Sequence, residues 1–408
     1  MAGAPTIVLV GTLDTKGREY AYLRDRIVEA GARVVLVDAG VLGDPQAEAD
    51  VPREEVARAA GAEHGDLVRA ADRGHAMEVM GRGAGVVAGR LHAEGRLQGI
   101  AAIGGSGNAS IAAAAMRDLP VGLPKLIVST LASGDTRPYM GAKDVTMTYS
   151  VVDIAGINQI SARILANAAG AIVGMARATP PDDAPERPLI GATMFGVTTP
   201  CITRARERLE ELGYEVLVFH ATGTGGQSFE ALAEGGFLAG ALDATTTELA
   251  DELVGGVLSA GPRRLEAVGR AGIPQVVSLG ALDMVNFGPR DTVPPQFAER
   301  NLYVHNPTVT LMRTTPEENA ELGRRIARKL NAAQSPTVLF VPLKGVSAID
   351  VEGQPFHDPE ADAALIGALR EGLDRDRVEV HEVDTDVNDP AFANAMADRL
   401  HELIQEGR

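Results

Sequence analysis

The sequence predicts an α/β protein of two Rossmann-like, doubly wound domains, with mostly parallel sheets and a cleft between them. Three observations carry this. Short continuous apolar runs alternate with helix-spaced segments along the chain, the pattern of strands covered on both faces by crossover helices. The glycine-rich segments each follow a predicted strand, where ligands sit in such sheets. Residues 178–188 hold four prolines in eleven positions, and proline disfavours helix both at itself and before itself. That stretch divides the chain into a first domain over 1–180, a linker over 181–188 and a second domain over 189–408.

The elements follow in order. Residues 6–11 are a buried-strand run, and 15–30 a helix with Tyr20, Leu23, Ile27 and Val28 at helical spacing, ended by Gly31. The second strand is 33–38, and 40–65 is a polar excursion with Pro45 and Pro52. Residues 72–97 read as a long helical stretch broken by Gly81, Gly83 and Gly85. A strand over 99–103, a helix over 108–117, strands over 125–129 and 145–150, and a helix over 158–177 complete the half. The second half restarts with strands over 189–195, 215–220, 240–245, 274–279, 302–305, 337–341 and 378–383. Helices fall between or after them over 203–212, 228–234, 263–271, 316–332, 359–372 and 390–405.

Composition narrows the function. The 408 residues suit two domains. Lysine and arginine number 38 against 55 acids, a net charge of −17, which speaks against a nucleic-acid or anionic-membrane partner. A single cysteine, Cys201, excludes an internal disulfide and a cysteine-rich zinc site and suits a reducing, cytoplasmic compartment. The opening Met-Ala-Gly-Ala-Pro lacks the basic segment of a signal peptide. No apolar run approaches the roughly 20 residues that span a bilayer.

Five stretches are suited to chemistry. Residues 103–110 pass from a strand through Gly104, Gly105, Ser106, Gly107 and Asn108 into a helix. Glycines let backbone approach a ligand, and a helix start offers free N–H groups and a positive dipole end. No Gly-Lys-Ser/Thr follows, so this is not a Walker A loop, and it half-matches the dinucleotide fingerprint. A tight strand-to-helix turn without a ligand is the plainer reading. In Thr12-Leu-Asp-Thr-Lys16, Lys16 is placed to neutralise a phosphate and Asp14 to hold Mg²⁺, while a simple helix cap fits the same residues. Asp38, ending the second strand, stands where such folds place an acid on a ribose hydroxyl, or else forms a turn before Gly40. The loop 129–138 is rich in hydroxyls and carries Thr130 and Asp135, as a ligand-facing loop or a surface turn.

In the second half, His220, Thr222, Gly223, Gly225 and Gly226 form another glycine-rich strand-to-helix turn, suited to a second anion. Asp283, Asn286, His305 and Asn306 also follow strands and, with His220, form a candidate substrate cleft. Their spacing matches no standard metal motif. Asp358 reads as a helix cap and Cys201 as a packed residue.

These motifs carry a resemblance. Thr12-Leu-Asp-Thr-Lys16, the 103–110 loop, the 220–226 turn, Gly280-Ala-Leu-Asp283 with Asn286, and His305-Asn-Pro307 occur in that order. The chain resembles, over nearly its whole length, the uncharacterised protein family typified by the amino-terminal ATP-binding region of the tomato mosaic virus resistance protein. The resemblance implies two α/β subdomains, ATP bound in the first, a homodimer and a cytosolic location. It supports Asp14, Lys16, Gly104, Gly105, Ser106, Gly107 and Asn108 as the ATP site, with Asp38, Thr130 and Asp135 beside them. It implies no reaction and no catalytic residue. The expectation is therefore an ATP- and Mg²⁺-binding protein, either an enzyme acting on a small carboxylate or other anionic metabolite, or a nucleotide-dependent sensor or scaffold that binds a protein partner.

Overall fold

The computed structural model describes residues 3–179 and 187–407. It divides into two compact units, Met1–Asp183 and Ala184–Arg408. Most of the expected linker, residues 181–186, lies outside the described residues.

The first unit runs β1 (Thr6–Gly11), α1 (Leu13–Glu29), β2 (Arg33–Asp38), α2 (Arg53–Ala59), α3 (His64–Ala70), α4 (Arg73–Ala93), β3 (Gly99–Gly104), α5 (Ser106–Met116), β4 (Lys125–Ser129), α6 (Arg137–Met140), β5 (Val145–Tyr149) and α7 (Gln159–Arg177). Its five strands pair in the order β2-β1-β3-β4-β5, all parallel. Side chains alternate across each strand. Val8 and Val10 join a core under α4 and α5, and Ile7 and Leu9 one under α1 and α7. Each such buried side chain stabilises the unit by about 1.5–3 kcal/mol.

The chain reverses its direction of travel between β1 and β3. Loops leaving those two strands part there and open a crevice at their carboxyl ends. Those loops are 12–16 and 104–108, so the sheet order alone brings the two strongest sequence motifs together.

Two expectations are corrected here. The excursion 40–65 contains α2 and the start of α3. The helix α4 is also unbroken by its glycines. A Cβ at Gly83 would lie 2.0 Å from the Val56 carbonyl oxygen, and one at Gly81 would lie 3.1 Å from Ala114 Cβ. These glycines are contact points that let α2 and α5 approach α4, and the packing gained outweighs their poor helix propensity.

The second unit runs β6 (Leu189–Met194), α8 (Thr199–Glu211), β7 (Glu215–His220), α9 (Thr224–Glu234), β8 (Gly240–Thr245), α10 (Glu248–Val254), α11 (Ala267–Arg270), β9 (Gln275–Gly280), β10 (Met284–Phe287), β11 (Leu302–Asn306), β12 (Val309–Arg313), α12 (Pro316–Asn331), β13 (Thr337–Pro342), α13 (Pro359–Gly372), β14 (Val378–Val383) and α14 (Pro390–Glu406). Its large sheet is parallel in the order β14-β13-β9-β8-β6-β7. Counted from its own first strand, it repeats the topology of the first sheet with one strand added. The corresponding switch lies between β6 and β8.

The strand expected over 302–305 is not part of this sheet. It is β11, in a separate antiparallel sheet of order β10-β12-β11. Asn306 Oδ1 accepts from the Thr308 N–H at 2.9 Å and closes the β11–β12 hairpin. The helix expected over 263–271 shrinks to α11 because Leu265 takes φ +75 and turns the chain. Asp358 caps α13 by accepting from the Ala361 N–H, as expected. Cys201 is fully buried, and burial pushes its thiol up to about 12. Among the described residues, no helix is long and apolar enough to cross a membrane.

Candidate functional site

At the switch point of the first unit lies a cavity of about 280 Å³. The loop after β1 supplies Thr12, Thr15 and Lys16 to one wall, and the loop after β3 supplies residues 105–108 to the other. Asn108 ties the walls together. Its Oδ1 accepts from the Thr12 N–H at 2.9 Å, and its Nδ2 donates to Thr12 Oγ1 at 3.1 Å. Gly104 takes φ +146 against Asn108, and a Cβ there would lie 2.7 Å from the Asn108 side chain. These two residues are the frame of the site.

The helix α5 starts at this cavity with Gly105 as N-cap, no side-chain cap and no acid in its first turn. Such a start is a local positive pole with unpaired donors. Lys16 lines the same cavity from a kink in α1, where its own backbone leaves helical geometry. Its ammonium donates to the Ile154 carbonyl, and an ammonium retains donors for another acceptor. Arg73, the first residue of α4, also lines the cavity. Its Nη2 lies 3.9 Å from where a Gly107 side chain would begin. Neighbouring Arg69 and Arg82 pair with Asp66 and Glu78, whereas Arg73 is left unpaired among the described residues. The lining also holds the apolar side chains of Val41, Leu42, Leu67, Val68 and Met77, the last with its Cε 2.9 Å from a Cβ built at Gly107.

The structure gives three expected ligand residues other work. Asp38 is buried. Its Oδ1 accepts from the Leu13 and Gly40 N–H groups, and its Oδ2 from Arg53 Nε at 2.8 Å. It does not line the cavity. Asp135 is exposed and held by Arg137, whose hydrogen bonds pull its carboxyl down to about 2. Thr130 also stands outside the cavity lining, with its Oγ1 4.0 Å from a Cβ built at Gly105.

Asp14 does line the cavity, but its Oδ2 accepts from the N–H groups of Val41, Leu42 and Gly43 at 3.2, 2.8 and 3.2 Å. Its Oδ1 is buried and unpartnered. It clamps the 41–43 loop. Among the described residues, no group of three or more His, Cys, Asp or Glu is arranged to hold a metal. Mg²⁺ beside a phosphate takes only one or two carboxylates and keeps several waters, and Asp14 and Asp153 both line this cavity.

The second glycine turn is occupied by the protein itself. Glu248 is fully buried, and its Oε1 accepts from the Gly223 and Gly226 N–H groups at 2.7 and 3.0 Å. A Cβ at Gly226 would lie 2.1 Å from Glu248 Oε2, and one at Gly225 would lie 1.8 Å from the His220 carbonyl oxygen. The anion that the turn was expected to bind is this carboxylate. Arg264, also fully buried, donates to Glu248 and to Asp243. Burial opposes its charge, but Asp243 and Glu248 raise its pKa well above the ordinary value. Thr198, in the turn after β6, and Thr245, at the end of β8, hydrogen-bond to each other at 2.8 Å. The switch point of this unit is thus filled with paired polar side chains.

The remaining expected substrate residues do not converge. His220 is exposed and stacks on Phe195 at 5.4 Å between ring centroids, and the Thr222 hydroxyl donates to the His220 carbonyl. Asn286 is buried, with its Nδ2 on Asp251 Oδ2 at 2.6 Å. His305 and Asn306 lie exposed on the small-sheet hairpin.

Burial pushes the Asp251 carboxyl up to about 7, against the hydrogen bonds from Asn286. A buried carboxyl with a raised pKa is more stable protonated. Its contribution is full below the ordinary value of about 4 and is lost as pH rises towards about 7. Asp283, at about 6, and Asp350, at about 9, act in the same direction, burial being the first cause in both. The resistance of the protein to urea is expected to fall from about pH 5 to about pH 8, and less steeply in Asp251→Asn. An equal slope in the two proteins would exclude Asp251 as a contributor.

Arg73 and the apolar lining went unnoticed in the sequence. One signal was present for Arg73. A cation at a helix start opposes the helix dipole, which is unfavourable unless an anion shares the position. The apolar lining residues come from segments distant in sequence and carry no motif.

Comparison with known proteins adds family context. Residues 5–181 match the model of the uncharacterised protein family (UPF0261) N-terminal domain, and residues 187–404 match its C-terminal domain. A UPF0261 protein of Clostridium tetani is 54% identical over 400 residues, covering 98% of this chain and 99% of that one. The ToMV resistance protein Tm-1(GCR237) of Solanum lycopersicum is 40% identical over 430 residues, covering 100% of this chain and 57% of that one. Among solved structures, the MurG of Acinetobacter baumannii aligns over 98% of this chain and 100% of its own with a TM-score of 0.22 at 12% identity.

Proposed function

The chain belongs to the uncharacterised protein family UPF0261, and we propose that its first unit is a nucleotide-binding module that takes ATP. One observation carries this reading. The uncapped start of α5 shares a cavity lining with Lys16, Arg73 and the apolar side chains of Val41, Leu42 and Leu67, and Arg73 Nη2 lies 3.9 Å from a Cβ built at Gly107. Phosphates would rest on the first N–H groups of α5, with Lys16 as a point charge beside them. The base and ribose would lie against Val41 and Leu42. Mg²⁺ would come with the triphosphate, with Asp14 and Asp153 as the carboxylates of the lining open to it.

Calorimetric titration tests this. One ATP per chain is expected, since the second glycine turn already holds Glu248. Lys16→Ala is expected to weaken ATP about tenfold and to leave adenosine nearly unchanged. No heat at millimolar nucleotide would overturn the reading, and equal losses for ATP and adenosine would remove the phosphate role of Lys16.

The filled turn also favours a second reading, a nucleotide-dependent sensor or scaffold that binds a protein partner. The enzyme hypothesis placed its anionic substrate at that turn, and Glu248 and Arg264 leave no room there. Sustained phosphate release with a candidate carboxylate would support the enzyme. Stoichiometric ATP binding without turnover would support the sensor. A homodimer and a cytoplasmic location accompany either reading and are open to light scattering and cell fractionation.

A further inference from the structure

We propose that the second unit carries an anion site of its own, a concave surface between α11 and α12 that takes a compact polyanion on Arg270, Arg325, Arg328 and Lys329. None of these residues lines the cavity of the first unit, so the proposal does not depend on the nucleotide reading.

The surface encloses about 680 Å³, a volume usual for small-molecule sites. Four cations line it against two carboxylates, Glu266 and Glu321. Arg377 adds a fifth cation at the edge, where its Nη2 donates to the Ala333 carbonyl of the lining at 3.3 Å. On a chain of net charge −17, this concavity reverses the sign of the overall field. The dipole of α12 accounts for Arg328 and Lys329, which lie in its last turn. It does not account for Arg270 and Arg377, which α11 and the loop after α13 bring to the same place.

The two carboxylates do not use up the donors. Glu321 meets three guanidiniums with two oxygens, those of Arg324 and Arg325 at 2.9 and 3.1 Å and that of Arg328 at 3.4 Å. Arg325 reaches it through Nε alone, so both of its terminal nitrogens lack an acceptor among the described residues. Lys329 is only 14% exposed. Its ammonium is fixed by the Pro262 carbonyl at 2.6 Å and Glu266 at 2.5 Å and keeps a third donor. Guanidinium forks match pairs of phosphate or carboxylate oxygens. The rest of the lining is Pro262, Ala332 and Ala333, which give a nucleobase no ring to stack on and no long apolar chain to lie against. The anion that fits is therefore small and densely charged, like pyrophosphate or a tricarboxylate, and not a nucleoside.

Calorimetric titration of the full chain with pyrophosphate and with citrate tests this, in a Lys16→Ala background that weakens phosphate binding in the first unit. One anion per chain is expected, with an affinity that falls severalfold from about 50 to about 200 mM salt. Adding Arg325→Ser and Arg328→Ser is expected to weaken binding at least about tenfold, with a melting temperature close to the parent's as the control for folding. Adding Glu321→Gln instead removes the competing negative charge and is expected to tighten binding severalfold, a gain that a misfolded variant does not give. No heat with either anion at millimolar concentration overturns the site. So does an unchanged affinity in the double arginine variant, or weaker binding in Glu321→Gln. A decaglutamate peptide that binds more tightly than both anions makes the surface a protein contact and also overturns the small-ligand site. Each of these failures leaves the nucleotide reading standing, because ATP binding to the first unit is measured separately and through different residues.

Discussion

Replacing Arg264 with methionine is expected to destabilise the second unit by about 3–5 kcal/mol, the cost of leaving buried carboxylates without their counter-charge. Asp243 and Glu248 are 1% and 0% exposed. Arg264 Nη2 donates to Asp243 Oδ1 at 2.6 Å, and its Nε to Glu248 Oε2 at 2.6 Å. Burial also raises the pKa of Glu230 nearby, an effect that Arg264 counters. Methionine fills much of the same volume, so lost charge rather than lost packing dominates. For a unit of this size, the melting temperature is expected to fall by roughly 10 °C. Adding Asp243→Asn and Glu248→Gln should recover a large share, because neutral amides keep acceptors for Thr193 and for the Gly223 and Gly226 N–H groups. A single variant within about 1 kcal/mol of the parent in urea unfolding would show that the network contributes little.

The second large effect has a sign opposite to helix propensity. Alanine is a better helix former than glycine by about 1 kcal/mol. Gly83→Ala is nevertheless expected to lose about 2 kcal/mol, within the usual cost of overpacking. Its Cβ would lie 2.0 Å from the Val56 carbonyl oxygen and 2.9 Å from the Val56 carbonyl carbon, both backbone atoms that cannot rotate away. Gly89 lies on the same helix with nothing within 4 Å of its missing Cβ. Gly89→Ala is expected to gain about 0.5–1 kcal/mol. Thermal unfolding of the two variants separates the cases. If both are stabilised, the close approach of α2 and α4 is wrong.

Gly83 also shows what could be read and what could not. In the sequence, three glycines at alternate positions look like a helix breaker, and only the presence of α2 and α5 beside α4 reverses that reading. Inner parallel strands such as β1 and β3 are legible because each is a continuous apolar run buried on both faces. The strands of the small sheet were not, because a reading tuned to parallel crossovers has no place for an antiparallel hairpin. Asn306-Pro-Thr308 is a turn signal that would have found it. Leu265 hid the break before α11, since a leucine at positive φ has no signature in the sequence.

The site divides in the same way. The 104–108 turn and Lys16 were legible, because a strand, glycines and a helix start lie in one continuous stretch. Asp38 and Asp14 stand out in the sequence as strand-end acids, but their carboxylates accept from backbone N–H groups and from Arg53. A carboxylate at a strand end reads alike in the sequence whether it meets a ligand or its own loop.

By itself the sequence determined the alternation of strands and helices and the positions of both glycine turns, because those signals are local. Which turn stays open was decided only by the tertiary structure. Asn108 reaches Thr12 across 96 residues and holds the first turn beside a cavity. Glu248 reaches Gly226 across 22 residues and closes the second. A helix start attracts an anion in either case, and only the folded chain determines whether that anion is a ligand or one of its own side chains.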